Sequence, residues 1–353
     1  MIRAWVELSG ENEALARAEL ASVLEMSGGG LSPGTSLSCH PTWVSAHLPS
    51  AEAGQWVARR LAFAHRVLEE WPERDFDDLR RRMVRLGSTV ASRRFVPPRG
   101  PRAEAWHELV REYRSSGGIV DLSPGARTIF LDAEPEGGWR VIEEIGRVDR
   151  HGFETRRMHR LPFRRPVTLP PRLSRVLVNL ARVRPDAHVI DPFVGTGALL
   201  AEAALVGGSV SGVDRDPRMV RGTLQNFAYL GLEAETLRVA DAAETFPCPD
   251  GASWSHLVTD PPYGRASGTA REPSAQLIHR ALDAWGQVIS PVGRIALAVP
   301  STVNPEIQGW KLMVQVRDRV HRSLTREFRS YVSEAAPTTQ ATVKLTELLE
   351  GPA

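Results

Sequence analysis

From Arg172 onward, the chain alternates between strand-like and helix-like segments, and this alternation restricts the possible fold more than any other feature of the sequence. Helical segments begin near Arg172, Gly197 and Pro217, and a longer one precedes the last strand of the series. The strand-like segments are, in chain order, VIDPF, SVSGVD, ETLRVAD, HLVTD and RIALAVP. Such alternation predicts an α/β fold, in which helices cover a parallel sheet.

The two strand-like segments that follow predict a different pairing. KLMVQVRDRVH and TREFRSYVS are separated by only three residues, 322–324. A parallel return needs about a dozen residues or more, so these two segments must form an antiparallel hairpin. Five parallel strands followed by an antiparallel hairpin resemble the class I, Rossmann-like methyltransferase fold. We expect that fold over residues 172–353.

The beginning of the chain predicts a smaller α+β domain. The segment VELSG is typical of a strand, and Ser9 is expected to cap the helix that follows it. Apolar residues recur in this helix at helical spacing, at Ala16, Leu20, Val23 and Leu24. We expect this first domain to span residues 1–72, where a charged, proline-containing segment follows.

A second α+β domain is expected over residues 73–150. Its elements are a strand in STVASRRFV, a helix in AEAWHELVREYRSSGG, and strands in IVDL and RTIFLDA. Residues 151–171 are rich in proline and arginine and show no hydrophobic period, so they predict a linker or a surface for a partner.

Basic charge is concentrated in the first half of the chain. Only two of the 44 basic side chains are lysines, and residues 80–114 hold ten arginines against three acids. Residues 147–165 hold seven arginines against two acids, whereas the rest of the chain after them is balanced. Such clusters are typical of a phosphate-bearing partner such as RNA, although a salt-bridged surface or a GC-rich genome would give a similar count. The candidate RNA-binding residues are Arg80, Arg81, Arg82, Arg85, Arg93 and Arg94.

Several classes of protein are excluded by composition. No run of about 18 apolar residues is present, and Glu7, Glu11 and Glu13 interrupt the stretch that a signal peptide would need. The two cysteines, Cys39 and Cys248, are too few for a disulfide framework and have no companion at metal-ligand spacing. We therefore expect a soluble, cytoplasmic protein with no membrane segment and no bound metal.

The first segment with evident chemistry is DPFVGTGA, where a predicted strand turns into a helix. Glycines at 195 and 197 allow the backbone to approach a ligand closely. A dinucleotide fingerprint would need Gly or Ala at position 200, which is Leu200. An acid followed by GxG matches instead the loop that binds S-adenosylmethionine. The candidate cofactor-binding residues here are Asp191, Phe193, Gly195, Thr196 and Gly197.

Two further acids end the next two predicted strands. Asp214 follows Asp191 by one βα unit, and a carboxylate there can accept both ribose hydroxyls of an adenosine. Asp241 ends the third strand and could bind the adenine. Each acid alone is also typical of a helix N-cap or a surface turn. Three acids at the carboxyl ends of successive parallel strands indicate a ligand site, because ligands of open α/β sheets bind at that edge.

The segment TDPPYGR at the end of the fourth predicted strand indicates the reaction. Two prolines after Asp260 cannot extend a strand, so they predict a fixed turn that faces the ligand. An exocyclic base amine is a poor nucleophile, since its lone pair is delocalised into the ring. The Asp260 carboxylate and the Pro261 carbonyl could accept its N–H bonds and localise that lone pair, and Tyr263 could stack on a flipped base. These three residues are the candidate catalytic residues.

At this point a family resemblance becomes specific. DPPYG resembles the [DNS]-PP-[YFW] motif of amino-methyltransferases, and the chain resembles the archaeal tRNA guanine-10 N2-methyltransferase family over nearly its full length. VELSGENEALARAEL is similar to the start of that family's ferredoxin-like domain, GGIVDLSPGARTIFLDA to the core of its THUMP domain, and HRLPFRRPVTLPP to its linker. The chain departs from the family pattern at Arg165, Val167 and Val194.

The resemblance implies an S-adenosylmethionine-dependent enzyme that methylates the N2 amine of a guanine in tRNA, at position 10, once or twice. It also implies that the ferredoxin-like and THUMP domains hold the tRNA. The alternatives are another tRNA guanine position, a DNA adenine-N6 or cytosine-N4 methyltransferase, and an RNA-binding protein without activity. The sequence leaves open whether the chain acts as a monomer or with a small activator subunit.

Overall fold

The computed structural model of the chain describes residues 1–32, 42–98, 103–133, 138–166, 168–262, 273–322 and 324–336. Contacts group the chain into two compact units, which are described separately. The first consists of Met1–Leu8, Ser27–Arg59 and Ala64–Val148, and the second of Ser9–Met26, Arg60–Phe63 and Asp149–Ala353.

The first unit is built on a mixed sheet. Its order, among the described residues, is β2-β3-β1-β4-β8-β7-β5-β6. The pairs β5–β7 and β5–β6 are parallel and the others are antiparallel. The strands are β1 (Ile2–Leu8), β2 (Gly30–Leu31), β3 (Trp43–Leu48), β4 (Ala64–Glu70), β5 (Ser92–Val96), β6 (Ile119–Val120), β7 (Thr128–Ala133) and β8 (Trp139–Arg147). Because this sheet continues across position 72, the division into two domains there stays a prediction.

Helices of the first unit pack on this sheet. They are α2 (Ala51–Arg60), α3 (Phe76–Ser88) and α4 (Ala103–Ser115). The last residue of α2, Arg60, is grouped with the second unit. Asp75 caps α3 by accepting the N–H groups of Asp77 and Asp78. The strand predicted in STVASRRFV is shorter than expected, because α3 extends to Ser88 and β5 begins only at Ser92. A core that includes Trp71, Trp106 and Tyr113 joins α3 and α4 to the strands.

The second unit contains the sheet predicted from the alternating pattern. Its order is β11-β10-β9-β12-β13-β15-β14, in which the first five strands are parallel and β15 is antiparallel to both of its neighbours. The strands are β9 (His188–Asp191), β10 (Ser209–Asp214), β11 (Thr236–Val239), β12 (Trp254–Thr259), β13 (Ile289–Pro300), β14 (Trp310–His321) and β15 (Leu324–Ser333). The α/β class and the closing hairpin are therefore confirmed.

Helices surround this second sheet. They are α1 (Glu13–Met26), α5 (Arg150–Thr155), α6 (Pro171–Leu180), α7 (Ala198–Ala204), α8 (Pro217–Leu230) and α9 (Ser274–Gly286). The segment expected to be a linker, residues 151–171, begins inside α5, which Asp149 caps by accepting the N–H of Gly152; its role as a linker stays a prediction. No helix in the described part of the chain is long and apolar enough to span a membrane.

The first helix packs within the second unit. The predicted apolar stripe of α1 is confirmed, since its members are buried. Its cap is Asn12 and not Ser9 as predicted, because the Asn12 Oδ1 accepts the N–H of Leu15 at 3.1 Å. The buried Glu19 carboxylate accepts N–H bonds from Ala62, Phe63 and Asn179 at 2.9, 2.8 and 2.7 Å. Burial raises the pKa of Glu19, so these bonds offset part of the cost of its charge.

Candidate functional site

The candidate site residues of the second unit lie at the carboxyl edge of its parallel strands. Asp191 ends β9, Asp214 ends the neighbouring β10, and Asp260 follows β12 on the other side of β9. The charges of Asp214 and Asp260 both act on the Asp191 carboxyl. The fold thus brings together three acids that are up to 69 residues apart in sequence.

Asp191 is the most deeply buried of these acids, with 1% of its surface exposed. Its Oδ1 accepts the hydroxyl of Thr259 at 2.7 Å and the N–H of Phe193 at 2.9 Å. Burial raises the pKa of Asp191 to about 7, and the two nearby carboxylates add to this effect, whereas the two hydrogen bonds oppose it. A carboxyl of this kind gains or loses its charge near neutral pH.

The loop after β9 depends on its two glycines. Gly195 and Gly197 have φ angles of 54° and 81°, in the left-handed region that favours glycine. A Cβ at Gly197 would also lie 2.6 Å from Cγ2 of Thr223 on α8. The Thr223 hydroxyl donates to the carbonyl of Gly195 at 3.0 Å. Glycine at 197 therefore lets the loop pack closely against α8, whereas a Cβ at Gly195 would meet only the Phe193 carbonyl oxygen, at 3.7 Å.

Asp214 is held by backbone groups on both oxygens. Its Oδ2 accepts the N–H of Gly195 at 3.1 Å, and its Oδ1 accepts the N–H of Asp216 at 2.9 Å. Burial raises its pKa, while these two bonds lower it. A carboxylate has about four acceptor positions, so two remain for a ligand.

Asp241 has a partner that the sequence did not predict. Arg280 of α9 donates to both of its oxygens, at 2.6 and 3.2 Å, and this bond together with the N–H of Ala243 lowers the pKa of Asp241. The pair is partly exposed, so its net contribution to stability is small, about 1 kcal/mol or less. A ligand at Asp241 would either share its carboxylate with Arg280 or replace Arg280 as the partner of that carboxylate.

Two other candidate residues lie beside these acids. The half-buried Phe193 packs against Ala242, Leu277 and Ala281, which gives the site an apolar wall. Thr196 is buried, and its hydroxyl lies 3.1 Å from that of Thr168.

The candidate catalytic segment follows Thr259 directly. Asp260 is partly buried and Pro261 is buried, whereas Tyr263 lies outside the described residues. Thr259, the last residue of β12, is a further residue of the site, because its hydroxyl donates to Asp191. The available sequence signal was a hydroxyl side chain at the end of a predicted strand, directly before Asp260. Thr223 and Asn226 gave no such signal, because their contacts depend on how α8 packs.

Four of the six candidate RNA-binding arginines are engaged inside the first unit. Arg80 pairs with Glu112 at 2.6 Å and Arg93 with Glu143 at 2.8 Å. The remaining two pairs are Arg81 with Asp78, and Arg82 with Glu73 at 2.9 Å.

Arg85 and Arg94 are exposed, and neither has a side-chain ion pair within the described ranges. In that same part of the chain, no three His, Cys, Asp or Glu residues are grouped as metal ligands.

Comparison with known proteins finds a matching family model and several relatives. Residues 157–327 match the model described as RMKL-like, methyltransferase domain. The chain is 38% identical over 187 residues to the tRNA (guanine(10)-N2)-dimethyltransferase of Pyrococcus abyssi, covering 52% of this chain and 55% of that relative. It is 29% identical over 362 residues to the enzyme of the same name from Methanothermobacter thermautotrophicus, covering 92% and 97%. The second unit thus contains a region similar to a methyltransferase domain.

The matched region contains every candidate donor-site and catalytic residue, whereas the six arginines lie before it. Among solved structures, the chain is similar to TrmN from Thermus thermophilus at 19% identity and a TM-score of 0.48, covering 94% of this chain and 99% of that one.

Proposed function

We propose that this chain is a methyltransferase, which transfers a methyl group from S-adenosylmethionine to the exocyclic N2 amine of guanine 10 in tRNA. The observation that carries the proposal is the position of Asp260 and Pro261, at the same sheet edge as Asp191 and the glycine loop. A donor site and an amine-binding turn beside each other are what this transfer requires. The names of the archaeal relatives support both the guanine position and the tRNA substrate.

The residues at this edge fit S-adenosylmethionine by their chemistry. That molecule carries a sulfonium and an ammonium group, a ribose diol and an adenine, and it supplies an electrophilic methyl group when bound. Carboxylate acceptors suit the cations and the diol, and the absence of a side chain at Gly195 allows close backbone approach, while Gly197 lets the loop, with Thr196 between the two glycines, pack against α8. We assign Asp191 to the cationic end, Asp214 to the ribose, and Phe193 with Asp241 to the adenine.

The acceptor amine is handled by the turn after β12. The Asp260 carboxylate and the Pro261 carbonyl accept the two N–H bonds of the guanine amine, which localises the nitrogen lone pair toward the methyl donor. As the new N–C bond forms, the methyl–sulfur bond breaks and its electron pair stays on the sulfur, which leaves as a neutral thioether. One of the amine protons must also leave, and the Asp260 carboxylate is the acceptor for it. Tyr263 provides a stacking face for the flipped base.

The first half of the chain is proposed to hold the tRNA, with residues 1–72 as a ferredoxin-like domain and 73–150 as a THUMP domain. Ten arginines against three acids over 80–114 support this role. Arg85 and Arg94 are the strongest candidates for phosphate contacts, since the other four must exchange an acidic partner for a phosphate.

The test uses two tRNA transcripts that differ in one amino group. The first has guanosine at position 10, and the second has inosine there, which lacks the 2-amino group. With labelled donor and intact protein, we expect incorporation into the first transcript and none into the second. Equal incorporation into both would place the methylated atom elsewhere and would reject the proposal.

A further inference from the structure

Asn226 on α8 binds two segments of the second unit that are far apart in sequence. Its Nδ2 donates to the carbonyl oxygens of Phe163 at 2.9 Å and Thr196 at 3.0 Å, and its Oδ1 accepts the N–H of Phe163 at 2.9 Å. The side chain is only 2% exposed. Because both amide hydrogens are used in a buried setting, this residue fixes the two backbones relative to each other.

Phe163 begins the segment that we call the linker strap, which comprises the described residues 163–166 and 168. Its Phe163 ring packs on Gly222, one helical turn before Asn226, and a Cβ at that glycine would lie 2.0 Å from Cδ1 of the ring. Only glycine leaves room for the ring, so the face of α8 is shaped to receive the strap. Arg165 of the strap lies over the same ring, with its guanidinium carbon 5.0 Å from the centroid.

A second contact joins the strap to the loop after β9. The hydroxyls of Thr168 and Thr196 lie 3.1 Å apart. Thr196 is therefore bound at its carbonyl by Asn226 and at its side chain by the strap. The strap and α8 together hold the middle residue of the glycine loop.

The glycine loop needs such support because glycine restricts its own backbone less than other residues do. Gly195 and Gly197 on either side of Thr196 adopt left-handed conformations. The carbonyl of Gly195 is bound by Thr223, and that of Thr196 by Asn226, so α8 supplies both donors.

We propose that Asn226 is a positioning residue for the methyl donor, a role that rests on the donor site assigned above. It acts through the strap and through Thr196 and does not touch the donor itself. Removing it leaves the Phe163 and Thr196 backbone groups without their buried partner and releases the loop. The donor then has to bind a loop that must first be ordered, so its affinity falls.

The experiment is calorimetric titration of S-adenosylmethionine into the full chain and three variants. Asn226→Ala should weaken donor binding by roughly tenfold or more, because its three hydrogen bonds to the strap and the loop are lost. Thr168→Val keeps the side-chain shape and removes only the hydroxyl contact, so we expect a loss of about two- to fivefold. In steady-state assays, the donor KM of both variants should rise while kcat at saturating donor stays within about threefold.

Asn179→Ala is the matched control. Asn179 is also a fully buried amide of the second unit, but it binds Glu19 and Arg60 and not the glycine loop. This variant should lower Tm yet keep the donor Kd within about twofold. Wild-type affinity in both Asn226→Ala and Thr168→Val, or an equal loss of affinity in Asn179→Ala, would overturn the positioning role. Failure of the wild-type chain itself to bind the donor would instead overturn the proposed function.

Discussion

At the scale of single residues, the structure separates the three acids that look alike in sequence. Asp191 is buried and has a pKa near neutral, Asp214 is bound by two backbone N–H groups, and Asp241 is paired with Arg280. Their common position at strand ends predicted a ligand site, but the strand ends alone did not predict these different environments.

The burial of Asp191 predicts a pH-dependent donor affinity. With a pKa of about 7, its carboxyl is neutral below that pH and anionic above it, and only the anion attracts a cationic ligand. Binding of S-adenosylmethionine should therefore tighten by up to about tenfold between about pH 6 and pH 8 and then level off. Calorimetry over this range tests it. Asp191→Asn should bind more weakly and lose this part of the pH dependence, and an unchanged profile would contradict the assignment.

Asp260 should be needed for transfer and not for donor binding. Asp260→Ala should lower kcat by roughly a hundredfold or more, since an acceptor that aligns the amine in the transition state is lost. Its donor Kd should stay within about twofold of wild type. Rapid-quench assays measure the first quantity and calorimetry the second. Asp283→Ala, an exposed acid on α9, is the control and should retain the wild-type rate. A variant that kept more than about a tenth of kcat would remove Asp260 from the mechanism.

At the scale of elements, hydrogen bonds from α8 hold the glycine loop after β9 in place. Both were predicted from local sequence patterns: GxG after a strand indicates the loop, and a proline at the first position indicates the start of α8. Each pattern spans only a few residues. The contacts of Phe163, Gly222 and Asn226 were not predictable, since they arise when the linker folds back onto α8. The cap at Asn12 was missed because Ser9 is an equally good cap by residue type.

Gly197→Ala should damage the donor site selectively. The new Cβ meets Thr223 at 2.6 Å in a backbone with a φ of 81°, so we expect donor affinity to fall by roughly tenfold or more. Gly231→Ala is the matched control, because Gly231 also has a positive φ, 66°, but its Cβ would meet nothing within 4 Å. Gly231→Ala should lose about 1 kcal/mol of unfolding free energy from backbone strain alone, and Gly197→Ala should lose more, because its Cβ also overlaps Thr223. Equal donor affinities in the two variants would contradict the role of the loop.

Asp214→Ala should weaken the donor as well, by about 1.5 to 3 kcal/mol, because the ribose hydroxyls lose a charged acceptor. Asp214→Asn keeps the shape of the side chain and one acceptor oxygen without the charge. Its donor affinity should lie between those of Asp214→Ala and wild type. Calorimetry of both variants checks the order, and unchanged donor affinity in Asp214→Ala would remove this residue from the site.

At the scale of the whole molecule, arginines are concentrated in the first half of the chain, and the candidate donor-site and catalytic residues lie in the second half. The strand directions of the second sheet and its closing hairpin were predictable, since helix and strand alternation indicates parallel strands and a three-residue connection requires an antiparallel pair. The ion pairs of the arginines were not, because Arg80 meets Glu112 across two helices and Arg93 meets Glu143 across strands. Charge counts alone therefore overstate how many arginines are ready to bind phosphate.

The salt dependence of tRNA binding tests which of these arginines contact phosphate. Replacing Arg85 and Arg94 together by alanine should reduce the slope of log Kd against log salt by roughly 1.5 to 2. Replacing Arg80 and Arg81, which are held by Glu112 and Asp78, should reduce the slope by less. Filter binding between about 50 and 200 mM salt measures both slopes. Identical slopes in all three proteins would show that the tRNA does not contact this surface.

The most direct test of the central claim is mass-spectrometric nucleoside mapping of tRNA after incubation with the pure, full-length protein and labelled S-adenosylmethionine. We predict that the label appears as N2-methylguanosine, followed by N2,N2-dimethylguanosine, in the fragment that contains position 10, and that Asp260→Ala yields neither product. Label in an adenosine or cytidine, at a guanosine elsewhere in the tRNA, or in no nucleoside at all would contradict the proposed reaction.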